Sequence, residues 1–127
     1  METVKYNLGA VGGITVTELW SGISGQAVGA GGEVTIELND DITNYKLLVF
    51  EFKVSYSNGT NFTYYDAITT SSRFINLING GSNNTFLDFC WGYGTENNYY
   101  EIKPWSTTKT LKATDRNSQC MRILGIN

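Results

Sequence analysis

A chain of 127 residues and 14.1 kDa folds as one domain and buries roughly two-thirds of its unfolded surface, so it needs no metal or disulfide to build a core. It contains no histidine, which excludes Ser-His-Asp and Cys-His catalysis, His-liganded zinc and an imidazole pH switch. The net charge is −3 with no basic cluster, so a duplex-binding role, which needs Lys and Arg against phosphates, is excluded and no nucleic-acid partner is expected.

No apolar stretch approaches the ~20 residues that span a bilayer. The opening Met-Glu-Thr-Val-Lys lacks the charged-then-apolar form of a signal peptide. Neither membrane insertion nor secretion by a signal of the chain's own is expected. Thr (15), Asn (13) and Ser (9) replace much of the usual charge, alongside 8 Tyr, 6 Phe and 3 Trp. That mixture favours strands joined by Asn/Gly turns over a helical bundle.

Residues 1–13 read as a flexible lead-in ending at Gly12-Gly13. Ile14 to Trp20 is a β-branched run with Ile14, Val16 and Trp20 expected on one face around Glu18. Ser21 to Gly32 is glycine-rich and reads as a loop. From Glu33, Val34, Ile36 and Leu38 alternate with Glu33, Thr35 and Glu37, the pattern of a half-buried antiparallel strand. Asn39-Asp-Asp follows, where Asn39 or Asp40 caps a single turn. Lys46 to Ser57 is the longest strand candidate, with Leu48, Phe50, Phe52, Val54 and Tyr56 on one face; its first half is apolar on both faces, as a central strand is. Asn58-Gly59 signals a hairpin returning through Phe62 to Ile68.

Arg73 to Ile78 reads as a short strand ended by Asn79-Gly-Gly. Thr85, Leu87, Phe89, Trp91 and Tyr93 alternate with Phe86, Asp88, Cys90 and Gly92. Asn97-Asn98 is expected to turn into a strand from Tyr99 to Lys103, and strands over Lys109–Ala113 and Gln119–Ile126 complete the chain. Eight or nine strands at this spacing, without a sustained helical period, predict an all-β antiparallel β-sandwich, jelly-roll-like, over residues 14–127. Cys90 and Cys120 lie in alternating apolar stretches and read as buried free thiols, a disulfide being the alternative. The glycosylation triplets at Asn58, Asn61 and Asn83 read as chance in so Asn/Thr-rich a chain.

The order of landmarks resembles a known family. Thr17-Glu-Leu-Trp-Ser-Gly, then Gly32-Glu-Val-Thr-Ile-Glu-Leu-Asn-Asp-Asp-Ile-Thr-Asn-Tyr-Lys-Leu-Leu-Val-Phe-Glu, and finally Met121-Arg-Ile-Leu-Gly-Ile-Asn, are similar to the C-terminal head domains of tailed-bacteriophage tail-fibre and receptor-binding proteins. Such domains open on Leu-Trp-x-Gly, continue with Ile-x-Leu-x-Asp-x-Ile-x-Asn-Tyr-x-x-Leu and close near Ile-x-x-Ile-x-Gly-Ile. The resemblance covers residues 17–57 and 109–127; the middle is unmatched. It implies a non-catalytic domain at the distal tip of a fibre in the virion, acting as a homotrimer on a bacterial surface polysaccharide or protein receptor, without a cofactor. A carbohydrate-binding module or lectin-like adhesin domain, and a purely structural fibre cap, are the alternatives.

Polysaccharide recognition needs flat aromatic faces and short polar side chains. Residues 56–66 and 91–105 combine both, and Tyr64, Tyr65, Asn97, Asn98, Tyr99 and Trp105 are the candidate ligand-binding residues. Adjacent tyrosines in a strand face opposite ways, so one of each pair is free of core duty. Filling the core and pairing across strands compete with binding as uses for these rings. Trp20 and Trp91 are expected in the core and Trp105, after Pro104, at the surface. Asp40, Asp41, Asp66, Asp88, Glu96 and Glu101 show no spacing that singles out an acid/base pair. Asn39, Asp40 and Asp41 lack a calcium-loop pattern, so no metal is expected.

Overall fold

The computed structural model describes residues 6–11, 13–55, 61–80, 87–93 and 96–127. The fold is an all-β sandwich of two antiparallel sheets. β1 (Tyr6–Val11), β2 (Ile14–Gly25), β9 (Ser118–Ile126), β4 (Leu47–Ser55) and β5 (Phe62–Thr70) form a five-stranded sheet in the order β1-β2-β9-β4-β5. β3 (Val34–Glu37), β8 (Thr110–Arg116), β7 (Glu96–Ile102) and β6 (Leu87–Tyr93) form a four-stranded sheet in the order β3-β8-β7-β6. A jelly-roll nests its strands in pairs from the ends inward. That nesting is present in β2·β9 and β3·β8, and then stops: β4 turns back onto β5, and β6, β7 and β8 run as a meander.

Alternation decides what lies between the sheets. Leu48, Phe50, Phe52 and Val54 of β4 are buried, as the sequence pattern implies, because β4 is central and carries β9 on one side and β5 on the other. Facing them are Ile36 and Leu38, Tyr100 and Ile102, and Leu111 and Ala113. Phe52 is the hub of an aromatic cluster, with ring centroids at 5.1 Å from Phe89, 4.8 Å from Trp91 and 5.2 Å from Tyr100. Edge and tilted contacts of this kind add to the area that the rings bury.

Several expectations are corrected. The Arg73–Ile78 stretch is not a strand but the middle of a helix, α1 (Ser71–Gly80). Thr70 Oγ1 caps it by accepting from the Arg73 N–H at 3.2 Å. Phe74 and Leu77 are buried and Ile75 and Ile78 pack against the core, the i, i+1, i+3, i+4 spacing of one helix face. Isoleucine and asparagine disfavour helix intrinsically; burial of that face outweighs the propensity. Tyr6–Val11, expected as a lead-in, pairs its backbone with β2 as an edge strand. A bulge between Glu18 and Trp20 shifts the alternation of β2, so Leu19 is fully buried and Trp20 turns to the core while Val16 and Glu18 face out. Asn97 and Asn98 lie inside β7 rather than in a turn before it. Tyr56, Asn58-Gly59, Asn83, Thr85 and Phe86 lie outside the described residues.

Both cysteines are free; Cys120 is in the core, whereas Cys90 is exposed on the other sheet, which corrects its expected burial. The Asp40-Asp41 pair is structural. Asp41, rather than Asn39 or Asp40, caps the 3-10 turn Ile42–Asn44, accepting from the Thr43 N–H at 2.9 Å and from Thr108 Oγ1 at 2.8 Å. Burial pushes its carboxyl up, but the Thr43 hydroxyl, which donates to Oδ1 at 2.7 Å, together with those two bonds holds it below the usual range. Asp40 accepts from the Tyr45 hydroxyl at 2.7 Å.

Candidate functional site

The outward face of the four-stranded sheet is polar. Strand alternation places Asp88 and Cys90 of β6, Tyr99 and Glu101 of β7, Lys112, Thr114 and Arg116 of β8, and Thr35 and Glu37 of β3 on it. Register sets Cys90 beside Tyr99 and Tyr99 beside Arg116; Asp88 lies beside Glu101 and Glu101 beside Thr114. At one margin, in the connection between β7 and β8, Trp105 stands 48% exposed. Its indole Nε1–H donates to Glu33 Oε2 at 2.9 Å, which fixes the ring's tilt. Lys103 reaches toward both neighbours, with Nζ 3.5 Å from Glu101 Oε2 and 5.8 Å from the Trp105 ring centroid. Lys112 Nζ donates to Thr35 Oγ1 at 2.8 Å, and Thr110 Oγ1 donates to Glu37 Oε2 at 2.8 Å.

Charge is concentrated at the β6–β7 pair. Partial burial, then the Glu101 carboxylate, push the Asp88 carboxyl above its ordinary range, while Lys103 pulls it back. Burial raises the Cys90 thiol, and Asp88 and Glu101 raise it further. A thiol so placed is a weak nucleophile. The face offers a fixed aromatic plane, hydroxyls, and donors and acceptors held by neighbouring side chains, which is equipment for non-covalent recognition.

The six candidate residues do not come together. Trp105 and Tyr99 belong to the outward face of the four-stranded sheet. Tyr64, 70% exposed, belongs to the outward face of the five-stranded sheet, on the far side of the sandwich. Tyr65 and Asn98 point inward, which corrects the expectation that they project at a surface. Tyr65 stacks on Trp91 at 5.4 Å, and Asn98 is buried, accepting from Asn117 Nδ2 at 2.8 Å. Each neighbouring residue, Tyr64 and Tyr99, takes the outward face instead. Asn97 sits in β7 opposite Gly92, and its side chain lies outside the described residues. The two stretches also diverge lengthwise. Val54 pairs with Ser118, so the β4–β5 connection lies at the β8–β9 turn. Lys103 pairs with Lys112 and Thr107 with Thr110, so Trp105 lies at the opposite end.

The outward face of the five-stranded sheet is the feature that sequence reasoning missed. Ile68 (68% exposed) lies beside Val49, and Val49 beside Leu124; Leu47 lies beside Ile126, and Ile126 beside Val16. Leu124 is buried yet outside the core cluster, shielded by these neighbours. An ion-pair row bounds the patch: Arg122 Nε lies 2.7 Å from Glu51 and its guanidinium 3.6 Å from Glu18. The available signal was the apolar character of both faces of residues 47–50, which implied cover on both sides. Among the described residues no group of three or more potential ligands gathers to hold a metal, and no helix is long and apolar enough to cross a membrane. The chain matches no family model and no curated protein.

Proposed function

We propose that this chain is a non-catalytic receptor-binding domain at the tip of a phage or phage-like tail fibre, recognising a bacterial surface glycan or protein as a homotrimer. The observation that carries the binding half is Trp105: a half-exposed indole, held in place by Glu33, at the margin of a polar sheet face that also presents Tyr99. A sugar ring stacks its C–H surface on such a plane while neighbouring hydroxyl and charged groups meet its hydroxyls. The resemblance over residues 17–57 and 109–127 supports the fibre-tip assignment. One stacked ring contributes on the order of 1 kcal/mol, so useful adhesion relies on several copies acting together.

A second reading, a structural cap that self-associates, is favoured by the apolar outward face of the five-stranded sheet, since contiguous exposed apolar area marks interfaces. The test of the first is Trp105→Ala. The variant is expected to keep the parent's circular dichroism and lose about fivefold in binding to host cells or their isolated polysaccharide, the equivalent of ~1 kcal/mol per site. Unchanged binding by a folded variant overturns the Trp105 site. Light scattering separates the assembly claims: a mass near 14 kDa refutes the trimer.

A further inference from the structure

At the end of the sandwich that holds the β8–β9 turn, the glycine-rich segment 26–32 joins β2 to β3 as a strap. It is tied down almost entirely by β8 and the turn that follows. The Gln26 N–H donates to Asp115 Oδ2 at 2.7 Å, and the Gly31 N–H donates to the Asp115 carbonyl at 3.2 Å. The Gly29 N–H donates to Asn117 Oδ1 at 2.6 Å, and the Asn117 N–H returns to the Gly29 carbonyl at 3.0 Å. Ser55 Oγ donates to the Ala27 carbonyl from β4. Asn117 adopts φ 53 to make the turn, a conformation that asparagine tolerates.

The Asp115 carboxylate has an unusual setting for a tie of this kind. Asp115 is 0% exposed, and its second oxygen, Oδ1, has no hydrogen-bond partner among the described residues. Gly25, the last residue of β2, and Gly31 of the strap close over it: a Cβ on Gly25 would lie 3.1 Å from Oδ1, and one on Gly31 would lie 3.4 Å away. Among the described residues, the groups packed around it carry no compensating charge. β7 presents Tyr100 directly opposite, whose hydroxyl is engaged with Ser24 Oγ at 2.9 Å, and β9 contributes the Cys120 thiol to the same layer. β2 and the strap contribute Ser24, Gly25, Gln26 and Gly31, none of which titrates. Arg116, the adjacent cation, is on the exposed face of β8.

We propose that the Gln26–Gly32 strap is a pH-responsive latch with the Asp115 carboxyl as its bolt, closed when that carboxyl is neutral and loosened when it ionises. A buried carboxylate with a single hydrogen bond and no counter-charge is costly. Lifting the strap admits water to both oxygens and removes that cost, at the loss of only a handful of bonds. Burial accordingly pushes the Asp115 carboxyl above its ordinary range, although the Gln26 N–H pulls it back. The sign follows from linkage. A group whose pKa is raised in the closed state favours closure below its ordinary value, and that preference is lost as pH rises to the closed-state value. Between those two values the open fraction rises about tenfold per pH unit, and above them it is level.

The test is amide hydrogen exchange of the full chain from pH 4 to 8, corrected for the intrinsic pH dependence of exchange, in the parent and in Asp115→Asn. The parent is expected to lose protection at Gln26, Gly29 and Gly31 as pH rises, with amides of β4 unmoved. Asp115→Asn, which keeps an oxygen acceptor without a charge, is expected to hold protection level across the range. Protection in the parent that does not change with pH, or the same profile in the variant, overturns the latch. Should Asp115→Asn not fold, the carbon-13 titration of the parent's Asp115 carboxyl decides: a midpoint at or below that of an ordinary aspartate overturns the proposal.

Discussion

Gly125 of β9 lies under the ring of Tyr45, and the contact leaves no room for a side chain. A Cβ at Gly125 would sit 2.5 Å from both Cγ and Cδ1 of Tyr45 and 2.9 Å from Cε1. Neither partner can yield easily. β9 is hydrogen-bonded on both sides, with Gly125 opposite Thr17 of β2 and Leu48 of β4, so the backbone is pinned. Tyr45 is buried and its hydroxyl is tied to Asp40 at 2.7 Å. Gly125→Ala therefore forces either overpacking, at 1–3 kcal/mol, or a ring shift that also loses the hydroxyl bond, at about 1 kcal/mol more. The expected cost is about 1–4 kcal/mol, a fall of roughly 10 °C in melting temperature for a domain of this size. Calorimetry or urea unfolding measures it, with Gly32→Ala as the control. A Cβ at Gly32 meets nothing within 4 Å, so that variant should match the parent or gain slightly from a stiffer unfolded chain. The double variant Gly125→Ala with Tyr45→Ala should cost less than the sum of the single changes, because removing the ring removes the clash. If Gly125→Ala melts within about 2 °C of the parent, the close packing of Tyr45 on β9 is wrong.

The same tyrosine gives an alkaline prediction. Burial, then its bond to the Asp40 carboxylate, push the Tyr45 phenol up to about 12. A folded-state value raised above the unfolded one contributes stability that is intact below about 10 and lost as pH climbs to about 12. Tyr45→Phe should flatten that part of the stability–pH curve, and an unchanged slope would refute the assignment. Thiol counting gives a third: Ellman's reagent should titrate one thiol, Cys90, in the native chain and two after denaturation. The native reaction should be slow at neutral pH because partial burial, then Asp88 and Glu101, disfavour the thiolate. Two fast native thiols would contradict the burial of Cys120.

Period-two alternation was enough to read the sandwich, because a strand buried on one face must write that face into its sequence. Val34, Ile36 and Leu38 and the β4 core face were legible in this way. What escaped was decided by partners distant in the chain. Helix α1 forms from poor helix formers because Phe74 and Leu77 find a core to enter, which no local propensity encodes. Leu19 and Trp20 share the inward side because a bulge against β9 absorbs one residue of register. The candidate site divided for the same reason. Tyr64, Tyr99 and Trp105 are all polar-flanked aromatics in sequence, yet register alone determines which sheet, and which end of it, each one occupies. The chain by itself determined which side chains alternate toward a core and that histidine-dependent chemistry is closed to it. Only the tertiary structure decided which outward faces coincide, because strands far apart in sequence become neighbours through backbone hydrogen bonds that carry no side-chain signature.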